Sequence, residues 1–349
     1  MSIVRRSEGF KMKLRQEIVP VFCILLFLII AREIYPYAGV MQAQVRDGYE
    51  QETIATGLGG PTCLVFDEET LLVCDRDAGR IVTVNGTVLL SGLDHPHGLV
   101  LLDDGVVISE EGKLTRYDSN YENPVILVDG IPSGNHQTNA VNLLPNGTLI
   151  WHSGSTCNHC DEDDPRNAAL LWVNAITGEH GILATGVRNS FDGVWLDGIG
   201  YLFSDNGQDA EGGDFPNEEI NLLIEGAEYG WLTESADDPN PVGTEAPVAT
   251  WAPHASVNGM TTRPANLPGG QYTVYATVYG SWATLLPQGH QILKIDFKQT
   301  DDGWIGDAEV FAEDVGTPLP ITAGPDGNLY YATFDHGGAV HVISPEANS

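Results

Sequence analysis

His136 is the residue of this sequence whose setting best suits moving a proton. It sits in Ser133-Gly134-Asn135-His136-Gln137-Thr138-Asn139, a polar segment just ahead of an apolar run. An imidazole flanked by amides in a loop suits a general base, although a lone histidine is more often structural or simply exposed. His97, in His95-Pro96-His97-Gly98, holds the matching place one unit earlier. Arg188 and Asn189, in Gly186-Val187-Arg188-Asn189-Ser190, open the following unit. A guanidinium beside a carboxamide suits a carboxylate or a polarised carbonyl; a surface ion pair is the alternative. Ser204-Asp205-Asn206-Gly207-Gln208-Asp209, then Glu218-Glu219-Ile220-Asn221, then Glu225-Gly226-Ala227-Glu228-Tyr229-Gly230-Trp231 form an oxygen-rich series. Loops of that composition suit Ca²⁺, a hard ion bound by carboxylates and carbonyls, though the spacing is not that of an EF-hand. Trp251-Ala252-Pro253-His254-Ala255-Ser256 and Tyr279-Gly280-Ser281-Trp282 add aromatic planes and a histidine able to pack against a sugar or a planar cofactor.

These clusters fall within a repeating phrase. Its leads are PTCLVFDEETLLVC from Pro61, PHGLVLLDDGVVIS from Pro96 and TNAVNLLPNGTLIW from Thr138. They continue as FDGVWLDGIGYLF from Phe191, VNGMTTRPANLPGGQYTVYAT from Val257 and PLPITAGPDGNLYYAT from Pro318. Each reads as strand, tight turn, strand, with hairpin turns expected at Asp104-Gly105, Asn146-Gly147 and Asp326-Gly327. Segments such as RIVTV from Arg80 and KLTRY from Lys113 supply a third strand, and no stretch keeps a helical period. The pattern predicts an all-β, six-bladed β-propeller; a β-sandwich accounts less well for so regular a repeat. In a propeller, loops entering the innermost strands line the central channel on one face. Polar residues at the unit starts are therefore expected to converge there.

Charge divides the chain. Its 16 basic and 48 acidic residues give −32 overall. Seven of the basic residues but only four of the acidic ones precede position 48, leaving 9 against 44, or −35, in the body. Such a body repels nucleic-acid phosphates rather than displacing their counterions, so no nucleic-acid partner is expected. The basic stretch leads into a 14-residue apolar run, Ile18 to Ala31. That run is short for a membrane span and suits a signal-peptide core, with an uncleaved anchor left open. Residues 1–47 are thus expected to be a signal peptide or membrane anchor with a short stalk, and 48–349 the propeller. Either reading predicts export: a periplasmic or extracellular body, or one anchored to the outer face of the cytoplasmic membrane.

Five cysteines are too few for a disulfide scaffold. Cys63 and Cys74 lie symmetrically about a turn at Glu68-Glu69, so they are expected to face each other as a disulfide or as two buried thiols. Cys157-Asn158-His159-Cys160 suits a loop-closing disulfide better than a zinc site or a redox motif. Cys23 falls in the export segment.

Taken in order, these phrases resemble the soluble quinoprotein sugar dehydrogenases, the glucose/sorbosone dehydrogenase family. HPHGLVL, SGNHQTN, GSTCNHCDEDDPRNAALL, ATGVRNSFDGVW, SDNGQDAEGGDFPNEEINLLIEGAEYGW, PHASVNGM, YGSW and GPDGNLYYATFDHGGAVHVI carry the resemblance across about residues 57–345. It implies a six-bladed propeller that binds pyrroloquinoline quinone (PQQ) and Ca²⁺ on its top face. By position, it implies His136 as the base taking a sugar hydroxyl proton while hydride passes to the quinone. Arg188 and Asn189 would hold and polarise the quinone oxygens. His97 and His254 are expected at the cofactor from their own settings, the first facing the same channel and the second able to pack against a planar ring. Gly207, Gln208 and Tyr229 would offer carbonyls to the Ca²⁺ and Glu219 its carboxylate. Where sorbosone-type members carry further cations, this chain has Asn139, Gln291 and the neighbourhood of Thr317, leaving Arg188 as the cation retained. The implied function is PQQ- and Ca²⁺-dependent oxidation of a sugar-like substrate, with electrons passed to an external acceptor. A family propeller that binds a ligand or partner without the quinone is the alternative, and a Ca²⁺-dependent lactonase a more distant one.

Overall fold

The computed structural model describes residues 23, 24, 27, 43–209, 213, 215–281, 288–334 and 337–347. The expected signal or anchor at 1–47 lies almost wholly outside the described residues, as does Trp282. Among the described residues, no helix is long and apolar enough to cross a membrane.

The body is a six-bladed β-propeller. Two strands, β1 (Gln44–Val45) and β2 (Tyr49–Thr56), precede the first blade and join the last two instead. Blade 1 comprises β3 (Pro61–Asp67), β4 (Thr70–Asp75), β5 (Arg80–Thr83) and β6 (Val88–Ser91). Blade 2 comprises β7 (Gly98–Leu102), β8 (Gly105–Glu110), β9 (Lys113–Tyr117) and β10 (Val125–Val128). Blade 3 has β11 (Thr138–Leu143), β12 (Thr148–Ser153), β13 (Ala169–Asn174) and β14 (His180–Thr185). Blade 4 has β15 (Gly193–Leu196), β16 (Gly200–Asp205), β17 (Glu218–Leu222) and β18 (Ala249–Trp251). Blade 5 has β19 (Val257–Thr262), β20 (Thr273–Val278), β21 (Gln291–Thr300) and β22 (Gly303–Glu313), with β1 outside β22. Blade 6 has β23 (Pro318–Ala323), β24 (Leu329–Thr333) and β25 (Ala339–Pro345), and β2 completes it from the other end of the chain. Pairing the first long strand with the last one closes the ring, with β2 as the outer edge of blade 6.

Position within a blade explains each strand's pattern. The second strands β8 and β20 are buried along their whole length, because both faces meet neighbouring blades. Their apolar residues therefore come in runs, Val106-Val107-Ile108 and Val274-Tyr275-Ala276, rather than at alternate positions. The outer strand β22 alternates exposed and half-buried positions over Gly303–Val310, as a strand wetted on one face should. Packing between blades supplies the core: Val107 and Leu114 of blade 2 meet Val141, Leu149 and Trp151 of blade 3. Trp151 is fully enclosed, and its indole N–H donates to Ser109 Oγ at 2.8 Å. The six innermost strands surround a channel of about 290 Å³.

Three local expectations change. Each blade has a fourth strand, one more than the repeat revealed. The β7–β8 turn is Asp103-Asp104, because Gly105 already pairs with Leu102 as the first residue of β8. Gly105 is needed there for space: a Cβ would stand 2.2 Å from the Tyr117 carbonyl oxygen. The Glu218–Leu222 segment, grouped with oxygen-rich loops above, is the third strand of blade 4. The cysteine geometry resolves as two disulfides, Cys63–Cys74 across the β3–β4 ladder and Cys157–Cys160.

Candidate active site

Two kinds of loop meet at one end of the propeller. One kind enters the innermost strand of each blade; the other joins its second and third strands. His136 and Arg188 belong to the first kind, and their partners Ser155, Asn158 and Asn206 to the second.

The His136 tautomer follows from its hydrogen bonds. Ser155 Oγ lies 2.8 Å from both the Cys157 carbonyl oxygen and His136 Nδ1. A hydroxyl has one proton, and here it goes to the carbonyl. Ser155 Oγ must then accept from His136 Nδ1–H, which leaves the lone pair on Nε2. Burial and the nearby Arg188 guanidinium push the imidazole pKa down to about 3, so the ring is neutral at physiological pH. Gly154 makes this approach possible: a Cβ there would stand 2.6 Å from His136 Cβ. The result is a fixed, unprotonated base.

Arg188 is buried, and its main chain is held as firmly as its side chain. The Arg188 and Asn189 N–H groups donate to the two Asp205 carboxylate oxygens at 3.0 and 2.7 Å. The guanidinium donates to Asn206 O at 3.0 Å, to Asn158 O at 3.1 Å and to Asn158 Oδ1 at 2.8 Å. Asn139 donates to Ser190 O at 2.8 Å and more weakly to Asn189 Oδ1 at 3.4 Å. Asn139 thus steadies the Arg188–Asn189 turn. His136, Arg188, Asn189, Gly207, Glu218 and His254 border a cavity of about 160 Å³. His254 Nδ1 lies 3.9 Å from Asp209.

Beside Arg188, an acid-rich hollow is bordered by Asp205, Gly207, Glu219, Tyr229, Trp231 and Glu234. Three of the four expected Ca²⁺ ligands, Gly207, Glu219 and Tyr229, therefore surround one space. Gln208 is buried next to Gly207 without bordering it. The Tyr229 hydroxyl donates to Leu222 O at 2.6 Å, so only the backbone carbonyl remains for an ion. Burial raises the Glu219 pKa to about 8 and that of Glu234 to about 7, with repulsion from neighbouring acids adding to both. Burial likewise lifts Asp205 to about 7 and Glu218 to about 8. The Gln208 Oε1 and Asn221 Oδ1 oxygens are buried without a hydrogen-bond partner. Those two oxygens belong to residues that do not border the hollow; the crowded acids that do border it fit a hard divalent cation, which would relieve the repulsion that protonation otherwise answers. Glu218 points the other way, accepting N–H bonds from Ser256 at 2.8 Å and Gly207 at 3.3 Å.

A larger cavity of about 550 Å³ shares His136 and Asn189 with the smaller one. Phe191, Tyr279 and Phe334 give it flat apolar walls, and Arg76 supplies a cation. Its size lies in the usual range for small-molecule sites. Arg76 is the residue that sequence reading missed. His97 also borders the cavity, but its Nε2 accepts from Arg76 Nε at 2.9 Å. Burial and Arg76 hold His97 neutral, with a pKa of about 3. His97 therefore orients a guanidinium, whose carbon lies 5.9 Å from the Phe334 ring centre. Arg188 is accordingly not the sole cation at the site.

No known protein family's profile matches the chain. An uncharacterized protein of Borreliella burgdorferi is 35% identical over 105 residues, 28% of this chain and 27% of that protein's length. Solved structures are more informative. The holo form of the pyranose dehydrogenase PQQ domain from Coprinopsis cinerea superposes with a TM-score of 0.70 at 17% identity, covering 87% of this chain and 97% of that one. The PQQ-bound aldose sugar dehydrogenase of Streptomyces coelicolor gives 0.68 at 19% identity, over 86% and 99%. The chain has their fold. The calcium structure of a Trichoderma reesei carbohydrate-active enzyme of family AA12 gives 0.72 at 18% identity, over 87% and 97%. On that fold this chain brings a neutral histidine, a buried arginine and an acid-lined hollow together at a single end.

Proposed function

We propose that this chain is an exported or membrane-anchored dehydrogenase that uses PQQ and Ca²⁺ to oxidise a sugar, a related polyol or an aldehyde. Electrons then pass to an external acceptor. The observation carrying this reading is the lone pair fixed on His136 Nε2, in a cavity wall shared with Arg188 and Asn189. The PQQ-bound and calcium-bound relatives support the cofactor choice. Two disulfides and the basic-then-apolar amino terminus support export.

The residues divide the work by chemistry. Glu219, Glu234 and the Gly207 and Tyr229 carbonyls would hold Ca²⁺. Arg188 and Asn189 would bind the quinone's oxygens, and Arg76 a carboxylate. When bound, PQQ supplies a two-electron acceptor for hydride. His136 Nε2 takes the substrate hydroxyl proton as the C–H bond is broken, so the alcohol leaves as a carbonyl compound. Phe191 and Phe334 offer apolar faces against which a planar ring can pack beside the reacting centre.

Reconstituting the purified body with Ca²⁺ and PQQ, then following dye reduction across aldoses, polyols and aldehydes, tests the assignment. Turnover that requires both cofactors is expected. No tight quinone binding and no turnover at low or high salt would overturn it. Stabilisation by Ca²⁺ alone would instead favour a propeller that binds its ligand without the quinone. Arg76→Gln is expected to weaken quinone binding by about tenfold, the usual effect of removing one charge-assisted hydrogen bond, while changing kcat little. Isothermal titration with the quinone checks it.

A further inference from the structure

We propose that the disulfide-closed loop Cys157–Cys160 is a positioning clamp, in which Asn158 sets the orientation of Arg188 and joins it to the Asp209 end of the metal-binding loop. The inference rests on the function proposed above and adds a residue to it. Asn158 spends both ends of its side chain and its carbonyl on three separate segments. Its Oδ1 accepts from Arg188 at 2.8 Å and from the Asp209 N–H at 2.9 Å. Its Nδ2 donates to Asp209 O at 3.0 Å, closing a two-way bond with that residue. Its backbone oxygen accepts from Arg188 Nε at 3.1 Å and from the Trp231 indole at 3.2 Å. Arg188 belongs to the loop entering β15, Asp209 to the β16–β17 loop and Trp231 to the segment after β17. A single asparagine therefore ties together the two loops and the following segment that border both the quinone and the metal sides of the site.

The same loop also holds the base. The Cys157 carbonyl takes the Ser155 proton and so fixes the His136 tautomer. Asn135 N–H donates to Thr156 O at 2.8 Å and His136 N–H to Ser155 O at 3.1 Å. Glu162 grips Thr156 through its N–H and its hydroxyl, each at 2.7 Å. An open loop would have to order Asn158 and the Cys157 carbonyl on every binding event; the Cys157–Cys160 bond restricts the alternatives before any ligand arrives. Arg188 and His136 are thus aligned by four consecutive residues, Ser155 to Asn158. Asn158 touches neither substrate nor cofactor in this scheme and acts through Arg188.

The experiment has one arm that needs no activity. In the Ca²⁺-loaded protein, the Arg188 Nη–H and Asp209 backbone N–H signals, both donors to Asn158 Oδ1, are followed by ¹H–¹⁵N NMR and their exchange with water is measured. Asn158→Ala is expected to shift both signals and speed both exchanges while circular dichroism is unchanged. Asn158→Asp, which keeps the accepting oxygen, is expected to restore Arg188. In the binding arm, Asn158→Ala weakens PQQ about 10- to 100-fold with a smaller effect on kcat, and Asn158→Asp recovers most of the loss. Dithiothreitol weakens quinone binding by the wild type but adds nothing to the loss in Cys157→Ser/Cys160→Ser. That double variant also serves if Asn158→Ala does not fold. Unchanged Arg188 Nη–H and Asp209 N–H signals in Asn158→Ala, or in the double serine variant, would overturn the clamp. Wild-type protein that binds no PQQ would overturn the proposed function, with the NMR arm still deciding the clamp.

Discussion

His136→Asn is expected to lower kcat by about 10²- to 10⁴-fold, the range by which a positioned general base accelerates proton transfer. Asparagine keeps an N–H able to donate to Ser155 Oγ but has no basic lone pair, so the loss should appear in kcat more than in quinone affinity. The pH profile sharpens the expectation. The ligand-free imidazole has a pKa of about 3, because burial and Arg188 both disfavour its cation. Its proton-accepting form is therefore complete from about pH 4 upward, and kcat/KM should show no histidine limb between pH 6 and 7. Steady-state dye reduction from pH 4.5 to 8.5 measures this. A limb near 6.5 that vanishes in His136→Asn would contradict the buried, Arg188-flanked environment; full activity in His136→Asn would remove His136 as the base.

The depressed histidines also affect stability, with a defined sign. His97, His136 and His152 have folded pKa values of about 3 and His341 about 4, against 6.5 when exposed. Between those values the unfolded chain binds protons that the folded chain refuses. Stability from this source is complete above 6.5 and is lost as pH falls towards 3 to 4.

The fold was legible because each blade is a local unit, and its strands announce themselves through apolar runs and turns. Cys63 and Cys74 were legible for the same reason, since a hairpin turn alone fixes their register. The fourth strands were harder: β6, β10 and β14 carry several exposed apolar or polar positions and give weak periodicity. At the site, position in the repeat found His136, Arg188 and Asn189, which all enter innermost strands. It missed Arg76, which follows a second strand, although loops after second strands end on the same face. The scarcity of cations was the usable signal: of nine basic residues beyond position 47, one stood in such a loop of blade 1. Asn158 offered no such signal. Its partners lie 30, 51 and 73 residues away, and only the folded ring brings them together. Gln208 illustrates the opposite limit, since adjacency to Gly207 in sequence does not put a residue around the same hollow.

Ca²⁺ is expected to raise the melting temperature far more at pH 8 than at pH 6.5. Asp205, Glu218, Glu219 and Glu234 have folded pKa values of about 7 to 8 without the ion, well above the usual carboxylate range near 4. Across that interval the folded chain keeps protons that the unfolded chain has released. This contribution is complete below about pH 4 and is lost as pH rises through 7 to 8. Above 6.5 the histidines no longer oppose it, so the acids dominate the change. Metal-free protein should therefore weaken steadily from pH 6.5 to 8.5. A divalent cation in the hollow replaces the protons of Asp205, Glu219 and Glu234, which border it, and its affinity grows as they leave. At a free Ca²⁺ concentration about 100 times Kd, binding adds about 2.7 kcal/mol, or several degrees for a chain of this size. Glu219→Gln makes the two effects separable. Removing one buried charge should raise the metal-free melting temperature at pH 8 while abolishing most of the Ca²⁺ response. Calorimetry with chelator and with excess Ca²⁺, at both pH values, reads each outcome. A Ca²⁺ shift equal at pH 6.5 and 8, or one surviving Glu219→Gln intact, would mean that the ion binds elsewhere and that these acids are kept neutral by design of the fold.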